Sequence, residues 1–205
     1  MATQIALTGI KPTGTPHVGN YLGAVLPGIE LAKRPDCTAY YFVADYHALT
    51  GAHSREQLLH DTAEVAAMWL AFGLDPEESV FYRQSDVPEI FELSWILACF
   101  TPKGFMNKAH AYKAVADVNR EAGEPEDAGV SMGLYTYPVL MAADILIVDA
   151  DVVPVGKDQV QHVEIARDIA QRINHSYGEH TLRLPSASLR AQTQLVPGLD
   201  GRKMS

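Results

Sequence analysis

The sequence lacks the features of secreted and membrane proteins. Only two of its 205 residues are cysteines, Cys37 and Cys99, and neither belongs to a C-x-x-C pair, which argues against a disulfide framework or a zinc site. No apolar run approaches the length that spans a bilayer, and the N-terminus carries neither a basic leader nor an Arg-rich amphipathic pattern. We therefore expect a protein of a reducing cytoplasm with no membrane segment.

Basic charge is also scarce. The chain has 16 Lys and Arg residues against 25 Asp and Glu residues, so its net charge is −9. This balance excludes a broad basic groove for duplex DNA, and any nucleic acid contact must be local or lie outside these residues. The content of 47% hydrophobic and 20% charged residues is typical of a folded globular domain, and the length suits one domain with an insertion.

Apolar periodicity predicts strands and helices that alternate, which favours an α/β fold with a Rossmann-like parallel sheet flanked by helices. The region 87–133 is expected to be a helical insertion that includes an exposed acidic loop at 119–133, and no closing element is expected in 184–205. The predicted strands are 5–7, closed by Thr8-Gly9, then 38–44, 79–83 and 152–155; the predicted helices are 20–32, the stretch between the cap residues Ser54 and Gly73, 87–113, 137–146 and 158–177.

The first predicted strand leads into a glycine-rich loop. Gly14 and Gly19 have the spacing of a P-loop, but Asn20 and Tyr21 stand where that motif requires Lys and Ser or Thr, and the loop also lacks the G-x-G-x-x-G spacing of a dinucleotide site. Small residues before a helix start let a ligand approach the backbone, and His17 adds a side-chain donor. The loop therefore predicts phosphate binding without a P-loop, although a plain turn with a solvated histidine stays open.

Two separated motifs resemble the signatures of class I aminoacyl-tRNA synthetases. His17-Val18-Gly19-Asn20 is similar to H-I-G-H, and Lys203-Met204-Ser205 is similar to the start of K-M-S-K-S. Three longer stretches, GIKPTGTPHVGNYLGA, YPVLMAADIL and VPVGKDQVQHVEIARDIAQRIN, resemble the bacterial-type tryptophanyl-tRNA synthetases. Tyrosyl-tRNA synthetases usually carry Gln where this sequence has Met141, which favours tryptophan. A tyrosyl enzyme and a non-catalytic tryptophan-binding relative remain the alternatives.

The resemblance implies an ATP-dependent ligase. Such an enzyme activates tryptophan to tryptophanyl-adenylate, with Mg²⁺ on the ATP phosphates, and transfers it to tRNA(Trp). Residues 1–205 would be the catalytic domain, with 87–133 building a homodimer interface and the main anticodon contacts lying in a C-terminal domain absent from these residues. The second Lys of K-M-S-K-S is also absent, which leaves open how active this chain is alone. The implied catalytic residues are His17, Asn20, Lys113 and Lys203.

The resemblance also implies two binding sets. Lys11 and Lys157 depart from the Gln and Glu that are common in the family. For tryptophan, Asp144 is the main specificity residue, because a carboxylate in the apolar run LMAADILIV needs a partner and an indole N–H is one. Gln159 would lie near the ligand's ammonium. The ATP set is Gly9, Lys11, Pro12, Thr13, Gly19, Asn20, Gly156, Lys157, Asp158, Gln159, Lys203, Met204 and Ser205; the tryptophan set is Leu7, His47, Tyr137, Met141, Asp144, Val153, Val155 and Gln159.

Overall fold

A computed structural model describes residues 3–51 and 54–189, and within them it shows a five-stranded parallel sheet flanked by helices. The spatial strand order is β3-β2-β1-β4-β5. β1 pairs in parallel with β2, with Gln4 opposite Cys37, and β2 pairs in parallel with β3, with Tyr40 opposite Val80. The predicted fold class is confirmed. The strands are β1 Gln4–Ile10, β2 Cys37–Val43, β3 Val80–Arg83, β4 Val152–Val155 and β5 Ser186–Leu189.

The helices of the described part occupy most of the segments between the strands. A π-helical turn, Tyr21–Val25, joins the first two helices, and two 3₁₀ turns follow β3 and β4 at Gln84–Asp86 and Lys157–Gln159. The α-helices are α1 Val18–Asn20, α2 Leu26–Ala32, α3 Asp45–Ala48, α4 Arg55–Ala71, α5 Glu89–Cys99, α6 Lys103–Met106, α7 His110–Glu121, α8 Met132–Ile147 and α9 Val160–Tyr177.

The caps predicted for α4 are confirmed. The Ser54 hydroxyl accepts a hydrogen bond from the Gln57 backbone N–H at 3.1 Å, and Gly73 ends the helix with a φ of +96°. On this helix Val65 and Trp69 are buried, whereas Phe72 is 49% exposed. It is the C-cap residue of α4, where the regular helical positions end.

Several predicted boundaries are wrong because a glycine and a proline lie inside elements that they do not end. Thr8 and Gly9 were expected to close the first strand, yet both lie inside β1. Pro138 was expected to start a helix, but α8 begins at Met132, where the Ser131 hydroxyl accepts from the Leu134 N–H at 3.1 Å. A proline inside a helix removes one backbone hydrogen bond, and in α8 it does not end the helix.

Two larger predictions also need correction. The predicted helix 87–113 is three helices, broken before α6 at Pro102 and before α7 at Ala109. Since α7 continues to Glu121 and α8 begins at Met132, the predicted loop 119–133 is shorter than expected. The expectation that no element follows 184 is wrong: β5 lies there, and the Ser186 N–H donates to the Asp151 carbonyl at 3.0 Å. A strand of only four residues, two of them serines, carries little apolar signal.

The chain divides into two compact units, each with its own core. Of the described residues, the N-terminal unit holds those between 3 and 86 together with 154–156 and 188–189, and the helical unit holds 87–153 and 157–187. The core of the N-terminal unit packs α2 and α4 against the sheet around Val25, Tyr41 and Trp69. In the helical unit α8 packs against α5 and α9.

Among the residues that the structure describes, no helix combines the length and the apolar character needed to cross a membrane.

Candidate active site

The strand order places a topological switch point in the sheet. From β1 the chain proceeds to β2 and β3 on one side, and β4 lies on the other side of β1. The carboxyl ends of parallel strands share one edge, and ligands of open α/β sheets bind at that edge where the order reverses. In the N-terminal unit, Lys11 follows β1 and Gly156 follows β4, so the edge carries the glycine-rich loop predicted to bind phosphate.

His17 forms the N-terminal cap of the helix that follows this loop. Its Nδ1 accepts a hydrogen bond from the Gly19 N–H at 3.0 Å, and its own backbone N–H donates to Asn20 Oδ1 at 2.9 Å. A neutral imidazole whose Nδ1 accepts must carry its proton on Nε2. His17 therefore keeps an Nε2–H donor for a ligand, while the Gly19 N–H is already used by the cap.

The loop is also held near its start. Lys11 Nζ donates to the Thr50 hydroxyl at 3.0 Å, and that hydroxyl donates to the His47 carbonyl at 2.8 Å. Partial burial lowers the pKa of Lys11 from its ordinary value. Of the next two predicted ATP residues, Pro12 is buried and Thr13 is exposed.

Gly9 has a packing reason in the structure. A Cβ placed on Gly9 would collide with the ring of Phe42 on the neighbouring strand β2. The glycine that was predicted to line the nucleotide site thus allows an aromatic side chain to pack directly over the end of β1.

The short helix α3, which carries His47, is positioned by a residue that the sequence analysis missed. Gln84 is fully buried, and its Oε1 accepts from the backbone N–H groups of Tyr46 and His47 at 3.1 and 3.4 Å. Asp45 adds to this support, because its Oδ1 accepts from the Ser85 N–H at 3.0 Å. The only sequence signal was a polar residue directly after a strand, which does not reveal its partner.

In the helical unit, three predicted tryptophan-site residues share one face of α8. Tyr137, Met141 and Asp144 follow the i, i+4, i+7 spacing of a helix face. Asp144 is 1% exposed in a stretch whose neighbours on both sides are buried, and Met141 is half-buried. Burying a carboxylate costs free energy. The buried Asp144 is therefore a candidate for a chemical role in this unit.

Tyr137 is paired with a histidine that the sequence analysis did not select. The Tyr137 hydroxyl lies 2.5 Å from Nε2 of His162 on α9, and the two ring centres are 5.2 Å apart. Burial raises the pKa of Tyr137 above its ordinary value. His162 is 3% exposed, so it is a buried partner of a predicted site residue.

The other predicted residues fall into three groups. Leu7 and Val153 are buried, and Val155 is half-buried on β4. Lys113 is exposed on α7. Gln159 takes the N-cap position of α9 and is the last residue of the 3₁₀ turn that begins at the exposed Lys157. The side chain of Asp158 and all of Lys203, Met204 and Ser205 lie outside the described residues.

A cleft lies beside His17 in the N-terminal unit. Its walls are mainly apolar and come from the loop, the start of the first helical segment and α4, where the rings of Tyr21 and Phe72 are 4.2 Å apart. Glu64 is its one carboxylate. Of the predicted ATP residues that the structure describes, none lines this cleft, so the cleft is separate from the Lys11 end of the loop.

Acidic, histidine and cysteine side chains do not cluster in the part of the chain that the structure describes: no group of three or more could hold a metal ion.

A parallel sheet with a polar glycine-rich loop at its switch point defines a Rossmann-like α/β protein. The profile described as tRNA synthetases class I (W and Y) matches residues 2–205, and the chain belongs to that family. It is 57% identical over 205 residues to the tryptophan–tRNA ligase of Xanthomonas campestris and 58% identical over 207 residues to that of Pseudomonas aeruginosa. These alignments cover 100% of this chain but 47% and 46% of the relatives. The chain thus spans about half the length of the curated relatives it matches.

Solved structures agree with this family. The tryptophanyl-tRNA synthetase of Campylobacter jejuni, complexed with ADP and tryptophan, superposes with a TM-score of 0.86 at 45% sequence identity. The superposition covers 98% of this chain and 60% of that chain. The fold predicted from the motifs is that of class I synthetases.

Proposed function

We propose that the protein activates L-tryptophan with ATP and charges tRNA(Trp). The observation that carries this proposal is the loop at the β1 end of the switch point, in which the His17 cap leaves an Nε2–H donor beside the edge where α/β proteins bind ligands. The names of the similar relatives and the ADP and tryptophan in the Campylobacter jejuni structure support the same substrates.

The first reaction is an in-line transfer. A tryptophan carboxylate oxygen attacks the α-phosphorus of ATP, a new P–O bond forms, and the bond to the bridging oxygen breaks so that pyrophosphate leaves. The carboxylate is already ionised at neutral pH, so the reaction needs no activated side-chain nucleophile. Catalysis then depends on alignment and on donors that meet phosphate charge.

In this proposal, the chain's own residues supply donors and cations. His17 donates from Nε2, Asn20 keeps the cap that orients that ring, and Lys113 and Lys203 contribute positive charge. The ATP set that the resemblance implies includes Gly9, Lys11, Gly19, Gly156 and the turn 157–159. Mg²⁺, when bound, neutralises charge on the ATP phosphates, and we propose that phosphate oxygens hold it.

Selection of tryptophan is proposed for α8. Asp144 would accept from the indole N–H, and a substrate without that donor would lose this charge-assisted hydrogen bond in a buried site. Tyr137 and Met141 share the same helix face, and Gln159 would meet the substrate ammonium. Leu7, His47, Val153 and Val155 complete the proposed tryptophan set.

The test is a thermal melt of this chain with tryptophan or tyrosine, each with and without ATP and Mg²⁺. A ligand that binds only the folded state raises the midpoint. We expect tryptophan to raise it, tyrosine to leave it unchanged, and Asp144→Ala to abolish the tryptophan shift. Asp144→Asn, which keeps the shape but loses the charge, should weaken tryptophan binding about tenfold. Met132→Ala, an exposed position on α8, is the matched control and should respond like the unsubstituted chain.

Other outcomes separate the alternatives. A shift with tyrosine alone would identify a tyrosine site and contradict the roles of Met141 and Asp144. Tryptophan binding without exchange of pyrophosphate into ATP would support a non-catalytic tryptophan-binding relative. No shift with either amino acid would contradict an amino-acid site in this chain.

The remaining partners are also proposals. We place the contacts with the tRNA anticodon outside this chain, because the chain spans about half of its curated relatives and carries a net charge of −9. A homodimer is proposed through the region 87–133, where Phe91, Trp95 and Ile96 of α5 are 47%, 73% and 49% exposed. A cytoplasmic location accords with the reaction.

A further inference from the structure

A buried carboxylate on α4 accepts a hydrogen bond from the glycine-rich loop. Asp61 on α4 is 1% exposed. Its Oδ2 accepts a hydrogen bond from the Gly14 backbone N–H at 2.8 Å, and its Oδ1 accepts from Gln57 Nε2 at 2.7 Å. Both partners are neutral donors, and no Lys, Arg or His side chain in the described part of the chain forms an ion pair with it.

Burial of the Asp61 carboxylate costs free energy unless its hydrogen bonds are strong. An ionised carboxylate loses hydration when it is buried, and charge-assisted hydrogen bonds offset that loss. One of the two bonds joins Asp61 to a neighbour on its own helix, whereas the other reaches 47 positions along the chain to a loop. The long-range bond is therefore the one that gives the buried carboxylate a structural effect outside α4.

The bond with Asp61 determines the local path of the loop. Gly14 has a φ of +94°, a conformation that other residues rarely adopt, while a Cβ at this position would meet nothing within 4 Å. The glycine is thus required by backbone rotation and not by lack of space. In this conformation the Gly14 N–H is occupied by Asp61, so it does not contribute a donor to a bound phosphate.

Three contacts in the N-terminal unit then fix the loop along its length. Lys11 is tied to Thr50 at the start, Gly14 is tied to Asp61 in the middle, and His17 forms the helix cap at the end. The middle contact is the only one of the three that uses a buried charge. Loss of this contact would free the backbone between Lys11 and His17.

We infer that Asp61 is a positioning residue for nucleotide binding: through Gly14 it holds Lys11 and His17 in the geometry that receives ATP. This inference rests on the proposed function of the loop. It assigns Asp61 no contact with ATP and no role in tryptophan binding, because its two hydrogen-bond partners, Gly14 and Gln57, do not belong to the proposed tryptophan set.

The experiment uses three variants of this chain. Asp61→Ala removes both hydrogen bonds, Asp61→Asn keeps an oxygen that can accept from Gly14, and Gln57→Ala is the matched control that removes only the contact within α4. Calorimetric titration measures the Kd of ATP with Mg²⁺ and of tryptophan below the melting midpoint of each variant. Amide hydrogen exchange of Gly14 reports the loop contact independently of any ligand.

Asp61→Ala should raise the Kd of ATP at least about tenfold and leave the Kd of tryptophan within about twofold. Asp61→Asn should restore the Kd of ATP to within about threefold, and Gln57→Ala should bind ATP as the unsubstituted chain does. The Gly14 amide should exchange slowly in the unsubstituted chain and in Gln57→Ala, and faster in Asp61→Ala.

Several results would overturn the inference. Asp61→Ala with a lower melting midpoint but unchanged ATP affinity would give Asp61 a role in folding alone. An equal loss of ATP and tryptophan affinity would indicate general damage to the fold. If the unsubstituted chain binds no ATP, the proposed function fails and the nucleotide role of Asp61 fails with it. Unchanged Gly14 exchange in Asp61→Ala would instead refute the loop contact itself.

Discussion

At the scale of single residues, small side chains in this protein are required by particular neighbours. Gly28 in α2 lies against the core, where its carbonyl accepts a hydrogen bond from the Tyr41 hydroxyl at 2.6 Å. A Cβ on Gly28 would approach Trp69 Cη2 to 2.7 Å. Gly23, five positions earlier in the chain, has open space where a Cβ would lie.

We expect Gly28→Ala to destabilise the protein by about 1–3 kcal/mol, because the added methyl group must displace a buried indole ring. Urea unfolding measures the change. Gly23→Ala is the matched control on the same helical segment, and it should be neutral or slightly stabilising because alanine favours helix. Equal stability of the two variants would show that Trp69 moves aside without cost.

Chemical roles at this scale are predictable only in part. The sequence selects His17 and Asp144 by their residue type and local context, and the structure adds what each one contacts or how deeply it is buried. It could not select Asp61 or Gln84, because the donors that they accept from are backbone N–H groups far along the chain. Every residue except proline has a backbone N–H, so the sequence does not show which of these groups donates to a given side chain.

At the scale of elements, α7 holds the segment that follows it through side chains. The Tyr112 hydroxyl donates to Asp127 Oδ1 at 2.7 Å, and Asn119 Nδ2 donates to the carbonyls of Glu126 and Ala128 at 2.9 and 2.8 Å. The acidic stretch that the sequence presents as a solvated loop is thus attached to a helix by named contacts. Asp127 binds a tyrosine and is not part of a metal site among the described residues.

This attachment has a pH dependence. The hydrogen bond to Asp127 raises the pKa of Tyr112 from its ordinary 10 to about 12, so the folded chain holds this proton more tightly than the unfolded chain does. The stability that the bond contributes is fully present below pH 10 and is lost as the pH rises towards about 12.

We therefore expect the unfolding free energy of the unsubstituted chain to be higher than that of Tyr112→Phe by a constant amount up to pH 10. The difference between the two unfolding free energies should then shrink between pH 10 and about 12. Urea unfolding over a pH series measures it. In an Asp127→Asn background the same comparison should be flatter, because the charged acceptor is gone. A difference that grows with pH would contradict the pairing.

At the scale of the whole molecule, an exposed apolar face on α5 is the main unexplained surface. Phe91 and Trp95 are four positions apart on one side of α5, Ile96 follows Trp95, and all three side chains are exposed. The proposed homodimer would remove this surface from water.

Trp95→Glu should shift the chain from dimer to monomer, because a charge at a dry interface is costly. Analytical ultracentrifugation over a range of concentrations measures the change. Leu59→Glu, on an exposed apolar residue of α4 outside 87–133, is the control and should leave the oligomeric state unchanged. A monomeric unsubstituted chain at all concentrations would contradict a dimer formed by these residues alone.

The sequence by itself determined the fold class, the family and the types of side chain that the chemistry needs. Buried strands appear as short apolar runs such as 38–44, helices appear through their period, and the motifs at His17 and Tyr137 carry the family resemblance because neighbouring residues form them. These patterns are formed by residues that are close in the sequence, so they can be recognised without the tertiary structure.

Only the tertiary structure decided which distant groups meet. It paired Asp61 with Gly14, Gln84 with the start of α3, and Tyr137 with His162, and it added β5 to the sheet. The physical reason is that each of these contacts depends on how the chain folds back on itself. Side-chain reach is a few ångströms, whereas the partners are separated by 25 to 47 positions in the sequence.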